Sequence, residues 1–299
     1  MAAVATTLGQ ALADAAMRLR EAGIERARAE ARLLAAGALG LSLEAVVAQD
    51  RRILCAGDLQ AIRALAERRA RRAPVAQILG WREFYGRRFK ITSDVLTPRP
   101  DSETLIDAVL DRVPDRQRRL SILDLGVGSG CLLLTLLGEL PAATGVGVDR
   151  SARALAVAAA NAESLGLARR CRLIEGNWLS PIEGAFDLVV CNPPYIPTAD
   201  IPGLDPEVSQ YEPVMALDGG ADGLDCYRVL AAGIVGALAP QGVAALEVGQ
   251  GQAGAVARIL ADAGAVVVGL CRDLAGIERC VLATRPCSKA RESTSNISE

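Results

Sequence analysis

The sequence of 299 residues contains no histidine, and its eight cysteines include no Cys-x-x-Cys pair. Zinc sites are built from clustered Cys and His ligands, so we predict that the protein holds no metal. The lack of histidine also excludes every mechanism that needs an imidazole as general acid or base.

Long apolar runs are missing as well. No stretch approaches the roughly 20 uninterrupted apolar residues of a membrane span. The start, MAAVATTLGQ, lacks the basic segment followed by an apolar one that is typical of a signal peptide. We therefore expect a cytoplasmic protein with no membrane partner. In a reducing cytosol, the scattered cysteines are expected to be small core residues.

Lysine is nearly absent, and the basic residues are almost all arginine. The net charge of −2 is unevenly distributed: residues 1–90 carry 16 basic and 9 acidic residues, whereas residues 91–299 carry 17 and 26. A basic N-terminal part favours docking to an acidic or RNA-bound partner. A solvated Arg-rich helix face is the simpler interpretation of any single cluster.

The first 97 residues form two segments with different sequence patterns. Residues 1–74 show leucine and isoleucine at helical spacing, with Ser42 and Asp58 at positions typical of N-caps, which predicts a small helical bundle. Residues 75–97 carry four of the chain's nine aromatic residues and two glycine breakers, which predicts a hairpin linker. At the other end, residues 287–299 are rich in Ser, Lys, Arg and Glu and are expected to form a disordered tail.

Residues 98–286 alternate between strands and helices. Strands are predicted at 121–125, 144–149, 171–175, 186–191 and 242–248, followed by a closing pair of strands. Helices are predicted from about 130 and at 151–166, 227–238 and 252–264. This alternation predicts an α/β domain with an open, mostly parallel sheet and helices on both faces. Ligands bind such sheets beyond the carboxyl ends of the strands.

A glycine-rich turn follows the first strand of this domain. It reads DLGVGSG at 124–130, and Asp149 closes the next strand, 25 residues after Asp124. Glycines allow a tight turn and close approach of backbone to a ligand, and the acid suits the two hydroxyls of a ribose. Cys131 stands where a dinucleotide-binding motif has its last glycine, so the spacing favours S-adenosyl-L-methionine.

The stretch CNPPYI at 191–196 closes the fourth strand. Two adjacent prolines stop a strand, because neither has an N–H to donate. This Asn-Pro-Pro-Tyr turn resembles the signature of methyltransferases that modify planar amide or amine nitrogens. Such a nitrogen is a poor nucleophile until its two hydrogens are bound and its lone pair is aimed at the methyl group. The oxygen of Asn192 and the carbonyl of Pro193 suit that task.

Several longer motifs appear in order: WREFYGRRF at 81–89, VLTPRPDSE at 95–103, ILDLGVGSGC, NPPYI, EPVMALDGGADGLDCYR at 212–228 and LEVGQGQ at 246–252. Together, over about residues 70 to 285, they resemble the glutamine N5-methyltransferases of peptide chain release factors, the HemK/PrmC family. The resemblance implies a Rossmann-like class I S-adenosylmethionine-dependent methyltransferase domain with a mostly parallel seven-stranded sheet. It also implies the preceding helical bundle, for release-factor docking, and the β-hairpin linker.

That resemblance assigns roles residue by residue. The cofactor-binding residues would be Gly126, Val127, Gly128, Ser129, Gly130, Asp149, Trp178 and, at the methionyl end, Asn192. Asn192, Pro193 and Tyr195 would be catalytic, and with Pro194 they would hold the substrate glutamine. Arg99 and Glu103 would shape the mouth of the site, and Glu212 would support the Asn-Pro-Pro-Tyr turn. Trp178 could equally be a core residue, and Arg99 and Glu103 could equally serve in capping or ion pairing.

The implied substrate is the glutamine of the GGQ loop of bacterial release factors, and the implied product is S-adenosyl-L-homocysteine. We expect a monomer with no direct nucleic-acid substrate. Three alternatives stay open at this point: a ribosomal-protein glutamine N5-methyltransferase, a nucleic-acid adenine N6-methyltransferase and a non-catalytic nucleotide-binding scaffold. The acidic catalytic half disfavours a nucleic-acid substrate, and a scaffold would not need the Asn-Pro-Pro-Tyr turn.

Overall fold

The computed structural model describes residues 6–286, which form two compact units. The helical unit contains the residues up to Trp81 together with Leu204–Tyr211. The sheet unit contains Arg82–Gly203 and the residues from Glu212 onward. The predicted disordered tail, 287–299, lies outside the described residues.

The helices are α1 (Leu8–Glu21), α2 (Ala27–Leu39), α3 (Leu43–Ala48), α4 (Ala56–Ala70), α5 (Val75–Leu79), α6 (Glu103–Leu110), α7 (Cys131–Glu139), α8 (Ala152–Ser164), α9 (Pro206–Ser209), α10 (Asp225–Ala237) and α11 (Ala253–Asp262). The strands are β1 (Trp81–Phe84), β2 (Arg87–Lys90), β3 (Ser121–Leu125), β4 (Thr144–Asp149), β5 (Cys171–Glu175), β6 (Phe186–Cys191), β7 (Leu238–Glu247), β8 (Val266–Arg272) and β9 (Glu278–Thr284). Among residues 6–286, none of these helices is long and apolar enough to cross a bilayer.

Two predicted helix starts have different outcomes. Ser42 caps α3, because its hydroxyl accepts the N–H of Ala45 at 3.1 Å. The predicted cap at Asp58 is wrong. Helix α4 begins two residues earlier, and the sulfur of Cys55 accepts the N–H of Asp58 at 3.3 Å. Asp58 instead lies in the first turn, where its charge complements the positive end of the helix dipole.

The helical unit includes a segment that the sequence analysis assigned to the following domain. Glu207 accepts from Arg69 and from Arg72, each at 2.7 Å, and the hydroxyl of Tyr211 donates to the carbonyl of Arg71 at 2.6 Å. Arg69 is buried and also pairs with Glu30 at 2.5 Å. These contacts hold residues 204–211 against α4, which differs from the expected boundaries of 1–74 and 98–286.

The expected hairpin linker at 75–97 is only partly a hairpin. Residues 75–79 form α5 instead. Strands β1 and β2 pair across a turn at Tyr85 and Gly86, both with positive φ. Phe84 and Phe89 meet edge to face, with ring centroids 6.2 Å apart. After Lys90 the chain has no regular structure, and this stretch approaches the site described below.

The sheet unit is built on seven strands in the order β5-β4-β3-β6-β7-β9-β8. Strands β3 to β7 are mutually parallel, and β9 runs antiparallel to both β7 and β8. The chain moves outward from β3 through β4 to β5, then returns to place β6 on the other side of β3. The crevice between β3 and β6 is therefore the topological switch point, where open α/β sheets bind ligands.

The central strands of this sheet, β3 and β6, are buried on both faces. Leu123, Leu125 and Val189 pack in one core with residues of α10 and α11. Ile122 and Val190, which point to the opposite face, are also fully buried. Burial on both sides explains why these strands are nearly continuous runs of apolar residues, which is typical of parallel sheets.

Candidate active site

A cavity of about 210 Å³ lies beyond the carboxyl ends of β3, β4 and β6, at the switch point. Nine of the residues proposed from the sequence line it: Arg99, Gly126, Val127, Gly128, Ser129, Asp149, Trp178, Asn192 and Pro194. The other five, Glu103, Gly130, Pro193, Tyr195 and Glu212, do not line it. Residues from three separate strand ends are thus brought together at one place.

The glycine turn folds over the end of β4. The N–H groups of Gly126 and Val127 both donate to the carbonyl of Val148, at 2.8 and 2.9 Å. Gly126 has φ of +76°, and a Cβ there would lie 3.4 Å from the Trp178 ring. A side chain at this position would therefore strain the backbone and occupy the space beside the cavity.

Asp149 organises the same loop. One carboxylate oxygen accepts the N–H of Gly128 and the other accepts the N–H of Ser151, each at 2.9 Å. A carboxylate oxygen has two lone-pair directions, so each can accept a further hydrogen bond. Asp149 lines the cavity, and this leaves it able to bind vicinal hydroxyls there.

Trp178 contacts both the core and the cavity. Its backbone is left-handed, with φ of +52°, which is an outlier for a bulky residue. Its side chain packs against the core of the sheet, while the ring also lines the cavity beside Gly126. A flat aromatic wall at this position can stack on a planar base.

Two buried polar residues support the loop and were not singled out from the sequence. Asn161 of α8 donates to the carbonyl of Ser129 at 2.8 Å and exchanges hydrogen bonds with the backbone of Lys90. Asp124 accepts the N–H of Leu133 at 3.2 Å, and burial raises the pKa of its carboxyl to about 7. Asp124 opens the DLGVGSG motif, but Asn161 stands in an Ala-rich helix that gives no signal for it.

The Asn-Pro-Pro-Tyr turn presents Asn192 and Pro194 to the cavity. The side-chain N–H of Asn192 donates to the hydroxyl of Ser102 at 3.4 Å. Pro193 is buried, and Tyr195 packs against the sheet core, where burial raises its pKa to about 12. Tyr195 does not line the cavity, and its expected contact with the substrate stays a prediction.

The turn is supported by two of the longer motifs. Ile196 exchanges backbone hydrogen bonds with Leu217 and Gly219 at 3.0 and 2.9 Å, and Gln252 donates to the Tyr195 carbonyl at 2.9 Å. A Cβ on Gly223 would lie 2.4 Å from that carbonyl oxygen. Gly219 and Gly223 of LDGGADG are therefore required by close approach to the turn, whereas a Cβ on Gly220 would meet Asp225.

Glu212 and Glu103 bind other groups than the sequence analysis expected. Buried Glu212 accepts the N–H of Thr97 at 3.3 Å and pairs with Arg99 at 2.5 Å, so it anchors the site mouth rather than the Asn-Pro-Pro-Tyr turn. Burial raises the pKa of Glu212, against the effect of Arg99. Glu103 accepts the N–H of Tyr85 at 2.8 Å, which fastens the hairpin to the start of α6. The local partners of these two carboxylates could not be known from the sequence.

Further lining residues come from segments without a predicted role. They include Leu96, Pro98, Ser102, Asn177, Met215 and Ala216. Most belong to the VLTPRPDSE and EPVMAL motifs, so motif membership was the available signal. Within residues 6–286, no group of three or more His, Cys, Asp or Glu side chains is placed to hold a metal ion. The expected absence of a metal stays a prediction.

Comparison with known proteins agrees with this geometry. Residues 10–80 match the family described as PrmC N-terminal domain, and residues 101–201 match the family described as Methyltransferase small domain. A release factor glutamine methyltransferase from Rhodospirillum rubrum is 49% identical over 94% of this chain and 86% of its own length. A protein of the same name from Caulobacter vibrioides is 44% identical over 93% and 96%.

A solved structure supports the fold alone. The hMettl16 catalytic domain, in complex with the MAT2A 3'UTR hairpin 1, is 14% identical and has a TM-score of 0.55 over 75% of this chain and 83% of that one. The sheet unit thus has the class I S-adenosylmethionine-dependent methyltransferase fold, as predicted. With identities above 40% over almost the whole length of the curated relatives, the chain belongs to the family of release factor glutamine methyltransferases.

Proposed function

We propose that this chain transfers a methyl group from S-adenosyl-L-methionine to the side-chain amide nitrogen, N5, of the glutamine in the GGQ motif of bacterial peptide chain release factors. The observation that carries the proposal is the place of Asn192. Its amide lines the same cavity as the glycine turn and Asp149, so an amide-binding group and a nucleoside-binding group meet in one site. The names of the relatives support release factors as the substrates.

The residues present fit the cofactor. The turn at 126–130 brings backbone close to the cavity without side chains at its glycines. Asp149 would hold the ribose hydroxyls, and Trp178 would lie against the adenine. When bound, the cofactor supplies a methyl group on a positively charged sulfur, and S-adenosyl-L-homocysteine is the product. The protein itself contributes binding and orientation.

The Asn-Pro-Pro-Tyr turn orients the nucleophile. An amide nitrogen is weakly nucleophilic because its lone pair is delocalised into the carbonyl. The oxygen of Asn192 and the carbonyl of Pro193 each accept one N–H of the substrate amide, which directs the lone pair out of the amide plane. Neither Pro193 nor Pro194 has an N–H, so the turn offers no competing donor. This positioning is the main catalytic contribution of the chain.

Proton removal needs no protein base. Methylation leaves the amide nitrogen positively charged and therefore strongly acidic, so its proton passes to water. The mechanism is compatible with a chain that has no histidine. Arg99, held by Glu212 at the mouth of the cavity, is assigned to shaping the entrance for the GGQ loop.

The alternatives have weaker support. A ribosomal-protein glutamine methyltransferase would use the same chemistry, but the relatives' names favour release factors. A nucleic-acid adenine methyltransferase would face a phosphate backbone with an acidic catalytic half. A scaffold without activity would have no use for the orienting turn. We further propose that the protein acts in the cytoplasm as a monomer.

One assay tests the proposal. Purified protein is incubated with methyl-labelled S-adenosylmethionine and a bacterial release factor, with the GGQ motif intact or changed to GGA. Label is expected on the intact factor and on its glutamine by peptide mass spectrometry. Equal labelling of the GGA factor, or labelling of ribosomal protein alone, would overturn the substrate assignment.

A further inference from the structure

Asn192 has two buried polar neighbours that the proposed function does not use. Ser102 ends the short 3₁₀ turn that opens α6, and Glu247 is the last residue of β7. Cys191 of β6 pairs with Leu246 of β7, so Asn192 and Glu247 are the next residues on adjacent parallel strands. Ser102 and Glu247 are each 2% exposed. The RPDSE, NPPY and LEVG motifs therefore meet at one point.

The hydrogen bonds at this point run in one direction. The Nδ2 group of Asn192 donates to the Oγ of Ser102 at 3.4 Å. A serine hydroxyl that accepts still has one hydrogen to donate. The Glu247 carboxylate is the neighbouring acceptor, placed here by the register of β6 and β7. Burial raises the pKa of Glu247 to about 7, and the polar groups of Ser102 and Asn192 act in the opposite direction.

This direction distinguishes the two ends of the Asn192 amide. An ionised carboxylate can only accept hydrogen bonds. The NH₂ end of Asn192 is therefore favoured on the side of Ser102 and Glu247, and a flipped amide would place two acceptors against each other. With the NH₂ end held there, the oxygen is left for the cavity, where the proposed mechanism needs an acceptor.

Stability does not explain a carboxylate at this place. The Oε2 atom of Glu247 is enclosed and has no hydrogen-bond partner among residues 6–286. An unpartnered buried polar atom costs free energy. The nearby cation, Arg279, already pairs with Asp101 and Asp273, each at 2.9 Å. The other titratable groups that interact with Glu247 are Tyr195, Tyr227, Cys131, Cys191 and Cys280.

We propose that Glu247, acting through Ser102, is a positioning residue that fixes the Asn192 amide with its oxygen toward the substrate. The inference rests on the proposed function, because it uses the role given to the Asn192 oxygen there. Glu247 does not line the cavity, so it acts only through its neighbours.

The proposal predicts a characteristic pH dependence. Above pH 7 the ionised Glu247 accepts only, whereas the protonated form gains a donor and no longer specifies the Asn192 orientation. The value of kcat should therefore fall as the pH drops through about 7. Asp124 has a pKa raised to the same region, so the Glu247→Gln variant is needed to assign the inflection.

The experiment compares wild-type protein with Glu247→Leu, Glu247→Gln and Ser102→Ala, at pH values on both sides of 7. Labelled cofactor and release factor give kcat and KM, and calorimetry gives cofactor affinity. Glu247→Leu should lower kcat by about 10²-fold with nearly unchanged cofactor affinity. Glu247→Gln keeps an acceptor oxygen, so it should retain more activity and lose the inflection near pH 7. The control is Glu175→Gln, an exposed carboxylate at the end of β5.

The outcomes separate the two proposals. A wild-type protein that labels no release factor overturns the proposed function and this inference with it. An active wild type with an equally active Glu247→Leu, or with a Glu247→Gln variant that keeps the inflection, overturns the inference alone. Should Glu247→Leu fail to fold, Ser102→Ala decides: it removes the relay without removing the carboxylate, and an unchanged kcat contradicts the role.

Discussion

Asn192 is the residue whose side chain the proposed chemistry needs most directly. Changing it to alanine removes the acceptor for one N–H of the substrate amide and leaves the glycine turn and Asp149 in place. We expect kcat to fall by about 10²-fold or more, because a positioning contact is lost. Single-turnover labelling of a release factor measures this, and calorimetry should find cofactor affinity nearly unchanged. An Asn192→Ala variant with near wild-type kcat would reduce the turn to a structural role.

The corresponding prediction for cofactor affinity concerns Asp149. Its carboxylate holds the N–H groups of Gly128 and Ser151 and is proposed to bind the ribose hydroxyls. Asp149→Ala is expected to weaken cofactor binding by roughly 2–3 kcal/mol, the range for hydrogen bonds to a charged group. Calorimetric titration measures the affinity, and the thermal shift by cofactor should shrink in parallel. An unchanged dissociation constant would show that the ribose is bound elsewhere.

Among the elements, the segment 217–223 is the one that fixes the Asn-Pro-Pro-Tyr turn. Gly223 has φ of +77°, and a Cβ there would lie 2.4 Å from the Tyr195 carbonyl oxygen. Gly223→Ala should therefore lower both the melting temperature and kcat, because the turn that carries Asn192 has to move. The backbone strain alone costs about 1–2 kcal/mol.

Gly166 provides the matched control for that variant. It has φ of +71°, but no atom lies within 4 Å of the position of its Cβ. Gly166→Ala thus carries the same kind of backbone strain without the contact, and it should lower the melting temperature while kcat is maintained. Equal kcat values for the two variants would mean that the close approach of Gly223 to the turn is irrelevant to catalysis.

At the level of elements, the strands were predictable because both local pattern and burial favour the same answer. Strands β3 to β6 have the predicted bounds. For β3 and β6 the reason is a short apolar run on the part of the sheet that is buried on both faces. The start of α4 was missed because the sulfur of Cys55 replaces a more usual capping oxygen. The support of the Tyr195 carbonyl could not be predicted, because it comes from Gln252 and Gly223, which are distant in sequence.

At the scale of the whole molecule, the sequence predicts a helical part followed by a sheet part. It does not predict that the chain returns to the helical unit at 204–211. The segment 204–211 interrupts the sheet unit and belongs to the helical unit. Nothing in its own composition indicates this, because its membership depends on Glu207 meeting Arg69 and Arg72. Long-range ion pairs of this kind have no local periodicity, so pattern analysis places such a segment with its sequence neighbours.

Glu207 is therefore the residue that tests the division into units. Burial raises the pKa of Glu207, but the two arginines outweigh it and hold the pKa below its usual range, so the pairs persist at neutral pH. Glu207→Gln should lower the free energy of unfolding of the helical unit by roughly 1.5–3 kcal/mol, as expected for hydrogen bonds to charged groups. Glu67→Gln is the control, because its pair with Arg18 is exposed and should contribute little.

The Glu207→Gln variant also distinguishes an effect on release-factor docking from an effect on the methyl transfer. All residues that line the cavity belong to the sheet unit, so cofactor affinity in Glu207→Gln should equal that of the wild type. If the basic helical unit positions the release factor, as its charge suggests, KM for the protein substrate should rise while kcat changes little. Calorimetry and steady-state labelling measure the two quantities. A folded Glu207→Gln protein that loses cofactor affinity would show that the helical unit contributes to the cofactor site, and the assignment of separate roles to the two units would have to be abandoned.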